Sequence, residues 1–361
     1  MIEEFKERIR SGGPLCIRGG GSKDFYGNAP RGEVLDILET KGHAGIVAYE
    51  PTELFVTAKC GTPLAEVEAA LAEQGQCLPF EPPRLASDGT IGGAVAAGLS
   101  GPRRASAGAL RDYVLGVKLL DGAARELNFG GQVMKNVAGY DVSRLIAGSL
   151  GTLGLILEVT LKVLPVPVAG ATLRFGMNQT EALDRLNRWA GQPLPIVASC
   201  WEDGMLTLRL AGARAAVAAA ERKLGGEKVS PGGTAPEEVS PGGTAIWNAL
   251  RDQTLPFFAA GTLWRLSVPS IAPVIDLPGE QLVEWGGALR WLRSDAAPEA
   301  IRAAAAAVGG HATLYRAPAA MKEAVDAFAP LPPALMRLHR DLKAAFDPRG
   351  VFNPGRLYRD L

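Results

Sequence analysis

The apolar positions of this chain fall in short runs, each stopped by glycine or proline. Leu15-Cys16-Ile17-Arg18 is the first run, and Gly19-Gly20-Gly21 stops it, so it reads as strand then loop. Residues 45–49 and 54–58 read as two further strands, parted by Glu50-Pro51-Thr52. Thr62-Pro63 predicts a helix start, with Thr62 as cap and Pro63 at the first helical position. Leu64, Val67 and Leu71 then share one face, and Gly75 ends the helix. Residues 113–120 and 125–129, joined across Asp121-Gly122, predict a hairpin. A strand over 155–164 closes this half before Pro165 and Pro167.

Past Pro167 the pattern changes. A strand at 171–175 is followed by a helix from Thr180 with Leu183 and Leu186 inward. Glu181–Arg185 and Asp184–Arg188 are spaced as i,i+4 pairs on its outer side. Strands at 195–201 and 204–210, then an alanine-rich helix at 213–224, complete a β-α-β-β-α order. That order predicts a small α+β domain built on an antiparallel sheet. Strands at 262–268, 287–293 and 311–316 and a helix at 298–308 extend it. Between them Val-Ser-Pro-Gly-Gly-Thr-Ala occurs at 229 and again at 239, a duplicated loop whose Pro/Gly content predicts mobility over 225–245. A last helix at 334–346 leads into Asp347-Pro-Arg-Gly-Val-Phe-Asn-Pro-Gly-Arg356. The expected organisation is one domain over 1–165, a cap domain over 166–330, and a segment over 331–361 that returns to the first domain.

Composition narrows the chemistry. The 361 residues carry 38 lysines and arginines against 38 aspartates and glutamates. A nucleic-acid binder would show a basic excess. No apolar run reaches the roughly 18–20 residues that cross a bilayer, and the first residues, MIEEFKERIRSGG, have no apolar core of a signal peptide. A cytoplasmic protein is expected, with any membrane contact peripheral and made through partners. Cys16, Cys60, Cys77 and Cys200 form no CxxC and no cluster spacing. The histidines (His43, His311, His339) form no HxH or HExxH, so no protein-borne metal is expected.

The glycines carry the strongest signal. Arg18-Gly19-Gly20-Gly21-Ser22, the cluster from Gly89 to Gly101, and the cluster from Gly148 to Gly154 each follow a strand-like run or turn. Glycine permits positive φ and bare N–H groups close to a ligand. Successive N–H groups make a concave nest for phosphate. No GxGxxG follows a strand with an acidic partner, and no GxxxxGK[ST] occurs, so neither a Rossmann site nor a P-loop fits. Three such loops point to one large phosphate-bearing cofactor.

Five motifs in order carry a resemblance: Arg18–Ser22, Thr90-Ile91-Gly92-Gly93, Gly108-Ala-Leu-Arg-Asp-Tyr-Val-Leu-Gly116, Lys135-Asn-Val-Ala-Gly-Tyr-Asp141 and Gly148-Ser-Leu-Gly-Thr-Leu-Gly154. Together they resemble the FAD-binding domain of the vanillyl-alcohol oxidase / p-cresol methylhydroxylase superfamily. The ending Asp347-Pro…Asn353-Pro-Gly355 resembles the C-terminus of its 2-hydroxyacid dehydrogenases. Within that group the chain is most similar to FAD-binding (E) subunits of glycolate oxidase, also called glycolate dehydrogenase. The resemblance implies an α+β fold: a two-subdomain FAD-binding domain plus a smaller α+β cap with an antiparallel sheet. It implies that Arg18, Gly19, Gly20, Gly21 and Ser22, with Thr90, Ile91, Gly92 and Gly93, clasp the FAD pyrophosphate through N–H groups. Gly148, Ser149, Gly151, Thr152 and Gly154 would line the flavin and adenine side. Ile156 would reach the adenine, and Asn353 the isoalloxazine.

The resemblance further implies oxidation of glycolate to glyoxylate within a complex. There a catalytic flavin sister subunit meets the small 2-hydroxyacid and an iron–sulfur subunit receives electrons. Two departures qualify it. Ser22 stands where some members carry a flavin-linking histidine, so noncovalent FAD is expected. The histidine-rich HxxGDGN-type substrate segment is absent, and Leu150 replaces a glutamate of related dehydrogenases. The catalytic base stays unassigned. His311 and Arg316 lie five apart on one strand and face opposite ways, and Arg265 and Arg290 sit beside Trp264 and Trp291. Two other readings stay open: an independent FAD-dependent D-lactate-like dehydrogenase using His311 as base, and a flavin-free assembly subunit.

Overall fold

A computed structural model describes residues 1–29, 36–131, 141–229 and 245–361. The Lys135–Tyr140 part of one motif and most of the duplicated 229–245 loop lie outside the described residues. An antiparallel sheet of five strands runs in the order Ile46–Glu50, Phe55–Lys59, Leu155–Lys162, Val114–Leu120, Glu126–Gly130. Helix Leu64–Glu73 packs Leu64, Val67 and Leu71 against it, in one core with Ile91, Val95, Val117, Val159 and Leu161. Each such side chain contributes about 1.5–3 kcal/mol by leaving water. The helix begins differently from the expected way. Pro63 is the cap residue, and the Thr62 hydroxyl instead ties neighbouring turns together, donating to the carbonyls of Lys59 and Gly45 and accepting from the Gly45 N–H.

The hairpin at 114–130 forms in the expected place, but its connection spans residues 121–125. The Asp121 carboxylate organises that loop by accepting from the N–H groups of Ala123 and Arg125. Leu15–Arg18 pairs in parallel with Asp36–Glu39 and, on its other side, meets Phe352 of the C-terminal segment. That return is pinned by a buried ion pair. Lys343 donates to Asp347 at 2.7 Å and to the carbonyls of Thr152 and Phe352, while Asp347 accepts from the N–H groups of Val351 and Phe352. Breaking one side of such a buried pair generally costs about 3–5 kcal/mol.

A second sheet of eight strands is antiparallel throughout. Its order is Glu227–Lys228, Ala169–Gly176, Met205–Gly212, Ile196–Glu202, Glu280–Glu284, Leu289–Arg293, Leu263–Ser267, His311–Arg316. Strand alternation gives it two unlike faces. Trp264, Leu266, Leu292 and Leu314 pack with Ile301 and Ala305 of helix Pro298–Ala307. The alternate residues Leu263, Leu282, Leu289, Trp291 and Tyr315 meet Tyr26, Ala97, Leu99 and Leu150, which belong to the glycine loops and their flanks. This face therefore closes over the loops. Cross-links hold it there: Arg209 pairs with Glu81 at 2.6 Å, Trp285 donates to the Gly101 carbonyl at 3.0 Å, and Ala327 donates to the Asn28 side chain. On helix Gln179–Ala190, Arg185 pairs with Glu181 as expected, but Arg188 reaches the Asp184 carbonyl and not its carboxylate.

Candidate functional site

The loop after strand Leu15–Arg18 is held from outside by its carbonyls. Arg356 donates to the carbonyls of Lys23, Asp24 and Tyr26, and the Asn28 N–H donates to the Arg356 carbonyl. The N–H groups of Gly19, Gly20, Gly21, Ser22 and Lys23, by contrast, meet no protein acceptor among the described residues. A run of bare N–H groups in such a turn is an anion nest. Lys23 adds a cation. Among the described residues its ammonium has no carboxylate partner, only the Ser22 hydroxyl at 3.5 Å, and burial pulls its pKa down to about 8. Arg18 plays another part: it pairs with Asp24 at 2.8 Å and braces the turn at Gly21, whose φ is +72°.

The 86–93 stretch lies directly against that loop. A Cβ on Gly20 would stand 1.6 Å from the Asp88 carbonyl oxygen, and one on Gly19 2.4 Å from Thr90 Oγ1. Thr90 caps helix Ile91–Ala97 by accepting from the Gly93 N–H at 3.2 Å. The Ile91 N–H donates to the Thr62 carbonyl and the Gly92 N–H to the Cys60 carbonyl. The N–H groups of residues 91–93 thus serve the protein, while the Thr90 N–H meets no protein acceptor among the described residues. Gly92 is needed for packing, because a Cβ there would lie 2.6 Å from Cys60 Cβ.

The third loop joins the same place. Gly148 and Leu150 donate N–H groups to the carbonyls of Val95 and Ala96, and a Cβ on Gly98 would lie 2.8 Å from Gly148 Cα. Leu150 and Gly151 both hold positive φ, and the Gly151 N–H has no protein acceptor among the described residues. The Ser149 hydroxyl is buried without a partner among the described residues, whereas Thr152 donates its hydroxyl to the Ser149 carbonyl. Asn353 is a clasp: its amide nitrogen donates to the Leu150 carbonyl at 2.6 Å, and its oxygen accepts from the Ile17 N–H at 2.8 Å. These two bonds tie the third loop to strand Leu15–Arg18 and leave one amide N–H of Asn353 over. Gly154 packs on the Leu120 carbonyl, and Ile156 pairs with Leu119 inside the five-stranded sheet. Bare N–H groups, an ammonium and a hydroxyl without partners among the described residues, beside a tight glycine contact, fit a pyrophosphate-bearing cofactor.

The comparisons agree with that geometry. A family model described as an FAD binding domain matches residues 4–130. Glycolate oxidase subunit GlcE of Escherichia coli is 48% identical over 362 aligned residues, covering 100% of this chain and 97% of that protein. The chain belongs to the GlcE family. The protein binds FAD and is a flavin-dependent oxidoreductase. A stretch of 160 residues is also 32% identical to glycolate oxidase subunit GlcD of Bacillus subtilis, over 44% of this chain and 34% of that one. A solved alkyldihydroxyacetonephosphate synthase shares the fold, with TM-score 0.66 at 15% identity over 98% of this chain and 73% of the other. No helix among the described residues is long and apolar enough to cross a membrane.

GlcE-family position does not by itself name a catalytic residue, and the face of the second sheet above the loops is the place to look. Tyr315, Trp291, Glu284 and Arg265 line a cavity of about 20 Å³ there, room for about one water. His311 opens its strand beside Ser267, and partial burial, with the charge of Arg265, lowers its pKa. The Arg290 side chain is engaged elsewhere, donating to the carbonyls of Gly287, Ala272 and Pro273 on the far face.

Glu284 is buried, and burial raises its pKa to about 7; the Trp291 N–H at 2.7 Å and Arg265 pull the other way. A carboxyl whose folded pKa is raised stabilises most at low pH, and stability is lost as pH climbs from the ordinary glutamate value to about 7. Glu284→Gln keeps an acceptor for Trp291 and never ionises. Its stability relative to the parent should therefore rise between pH 5 and pH 8, by as much as about 3 kcal/mol. Urea unfolding at both pH values reads this directly, and an offset that does not change with pH would contradict it.

Proposed function

We propose that this protein is the FAD-binding subunit of a glycolate oxidase complex that converts glycolate to glyoxylate and passes electrons to an iron–sulfur subunit. The full-length similarity to glycolate oxidase subunit GlcE supports the complex and the substrate class. The observation that carries the cofactor site is the run of unsatisfied N–H groups from Gly19 to Lys23. In this reading residues 1–165 and 331–361 form the FAD-binding unit and 166–330 the cap. Bound FAD supplies a two-electron acceptor for a CH–OH donor. The chain's own residues do the holding. Gly19–Lys23 receive the pyrophosphate, Gly148–Gly151 and Ser149 Oγ line the adjoining side, and the Asn353 clasp and Arg356 keep the loops in register. Gly154 and Ile156 shape the wall behind them. A catalytic sister flavin subunit and the iron–sulfur subunit are the partners, with any membrane contact made through them.

Ser22 offers no nitrogen for a covalent flavin bond, so the cofactor is held noncovalently. Purified chain should be yellow, and acid or heat should release the colour into the supernatant. Colour that stays with the precipitated polypeptide would refute the noncovalent site. Colourless protein that stays colourless on incubation with FAD would favour the flavin-free assembly role.

A further inference from the structure

We propose that Arg265, with Arg104 as a second cation, forms a docking site for the carboxylate of a small organic anion, walled by Trp285, Trp291 and Tyr26. The proposal rests on the 2-hydroxyacid reading above and says where in this chain such an acid would be held. Arg104 belongs to helix Arg104–Ala107, which packs on strand Ile196–Glu202, and Arg265 to strand Leu263–Ser267. Their guanidinium groups lie 4.8 and 5.1 Å from the centroid of the same ring, Trp285, and Arg265 is also 5.9 Å from that of Trp291. Neither side chain has a hydrogen bond or an ion pair with any protein group among the described residues.

Several other partly buried arginines of this region do find protein partners. Arg209 has Glu81, Arg251 has Asp252, Arg293 has Glu280, and Arg316 has the Phe258 carbonyl and Gln253. An arginine carries five N–H donors in a planar fork that matches a carboxylate. A ring face attracts the charge but accepts almost none of those donors. Two half-buried guanidinium groups also repel each other, and burial with the charge of Arg265 holds Arg104 below its ordinary pKa. An anion would relieve the repulsion and use the donors at once.

The nearby acids do not serve as that anion. Glu284 feels Arg265, but its burial favours the neutral acid, and one of its oxygens accepts from Trp291. Asp112 accepts from the Ala109 N–H. The other groups within the field of Arg265 are Tyr26, Tyr315 and His311, none of them anionic at neutral pH. The site lies on the face of the second sheet that covers the glycine loops, since Trp291 and Tyr315 share one core with Tyr26 and Leu150.

The probe is oxalate, a carboxylate with no C–H bond to oxidise, titrated into the flavin-loaded full chain by calorimetry and tryptophan fluorescence. Wild type should bind oxalate and glycolate, and the neutral amide glycolamide should bind far more weakly. Arg265→Gln should weaken oxalate binding about tenfold to hundredfold, the range for one charge-assisted hydrogen-bonded contact. Arg104→Gln should weaken it less, and Arg185→Gln, on the outer side of its helix, not at all. Flavin content and thermal midpoint should be unchanged in all three. Unaltered binding by Arg265→Gln, equal binding of glycolamide, or no oxalate binding by wild type overturns the site. Loss of flavin from both arginine variants also overturns it, because the cations would then serve the cofactor. If Arg265→Gln does not fold, Arg265→Lys and the wild-type comparison of oxalate with glycolamide decide alone. Turnover is not read, so oxalate binding in a chain whose complex fails to oxidise glycolate would sink the proposed reaction and leave the site standing.

Discussion

Gly20→Ala should emerge from purification without flavin. The added Cβ would lie 1.6 Å from the Asp88 carbonyl oxygen and 2.4 Å from its carbon, a contact with backbone that no side-chain rotation relieves. One of the two facing loops must move, and the nest of N–H groups from Gly19 to Lys23 moves with it. Overpacking of this kind costs about 1–3 kcal/mol of stability, which a well-packed domain survives, whereas the phosphate contacts require placement to a fraction of an ångström. The expected result is near-zero visible absorbance per chain with the far-ultraviolet spectrum preserved. Gly13→Ala is the matched control, because a Cβ there meets nothing within 4 Å. Full flavin occupancy in Gly20→Ala would show that the cofactor does not depend on this loop pair.

Much of this arrangement is legible in the sequence because strands here end at glycines and prolines. Leu15–Arg18, the 114–130 hairpin and Leu155–Lys162 all stand where the apolar runs stop. The family motifs bring the glycine loops together for the same reason: each loop follows a strand or turn that places it. What the sequence hides is which atoms of each loop are free. Thr90-Ile91-Gly92-Gly93 looks like a phosphate nest, yet Gly92 and Gly93 lie in helix Ile91–Ala97, despite glycine's poor helix propensity. The helix forms because the Thr90 hydroxyl caps it and because Ile91 and Val95 enter the core of the first sheet. Strand Glu280–Glu284 was hidden by its charged ends, although Leu282 and Val283 are buried in the sheet. Lys23 follows the first glycine loop in plain view, but its lack of a counter-ion among the described residues is a tertiary fact. So is the meeting of Arg104 and Arg265 on one tryptophan, since their elements are far apart in the chain.

The isolated chain should bind FAD and yet turn over glycolate or D-lactate slowly or not at all, with activity appearing on co-expression with a longer flavin homologue and an iron–sulfur protein. The reason lies in what the chain offers an electron and a proton. Among the described residues no three His, Cys, Asp or Glu side chains gather to hold a metal. Cys60 is buried, with burial raising its thiol to about 12, and Cys200 is buried too, so neither offers a ready thiolate. In the proposed reading, electrons leave through another polypeptide or a soluble acceptor. Proton removal is equally unsupported: His311 opens its strand with an exposed side chain, and no carboxylate among the described residues orients its ring. Steady-state dye reduction by the lone chain against the reconstituted set separates the two readings. Equal rates, together with loss of activity in His311→Ala, would establish an independent dehydrogenase. A large gap that closes only when the partners are present, with His311→Ala unchanged, is the expected result.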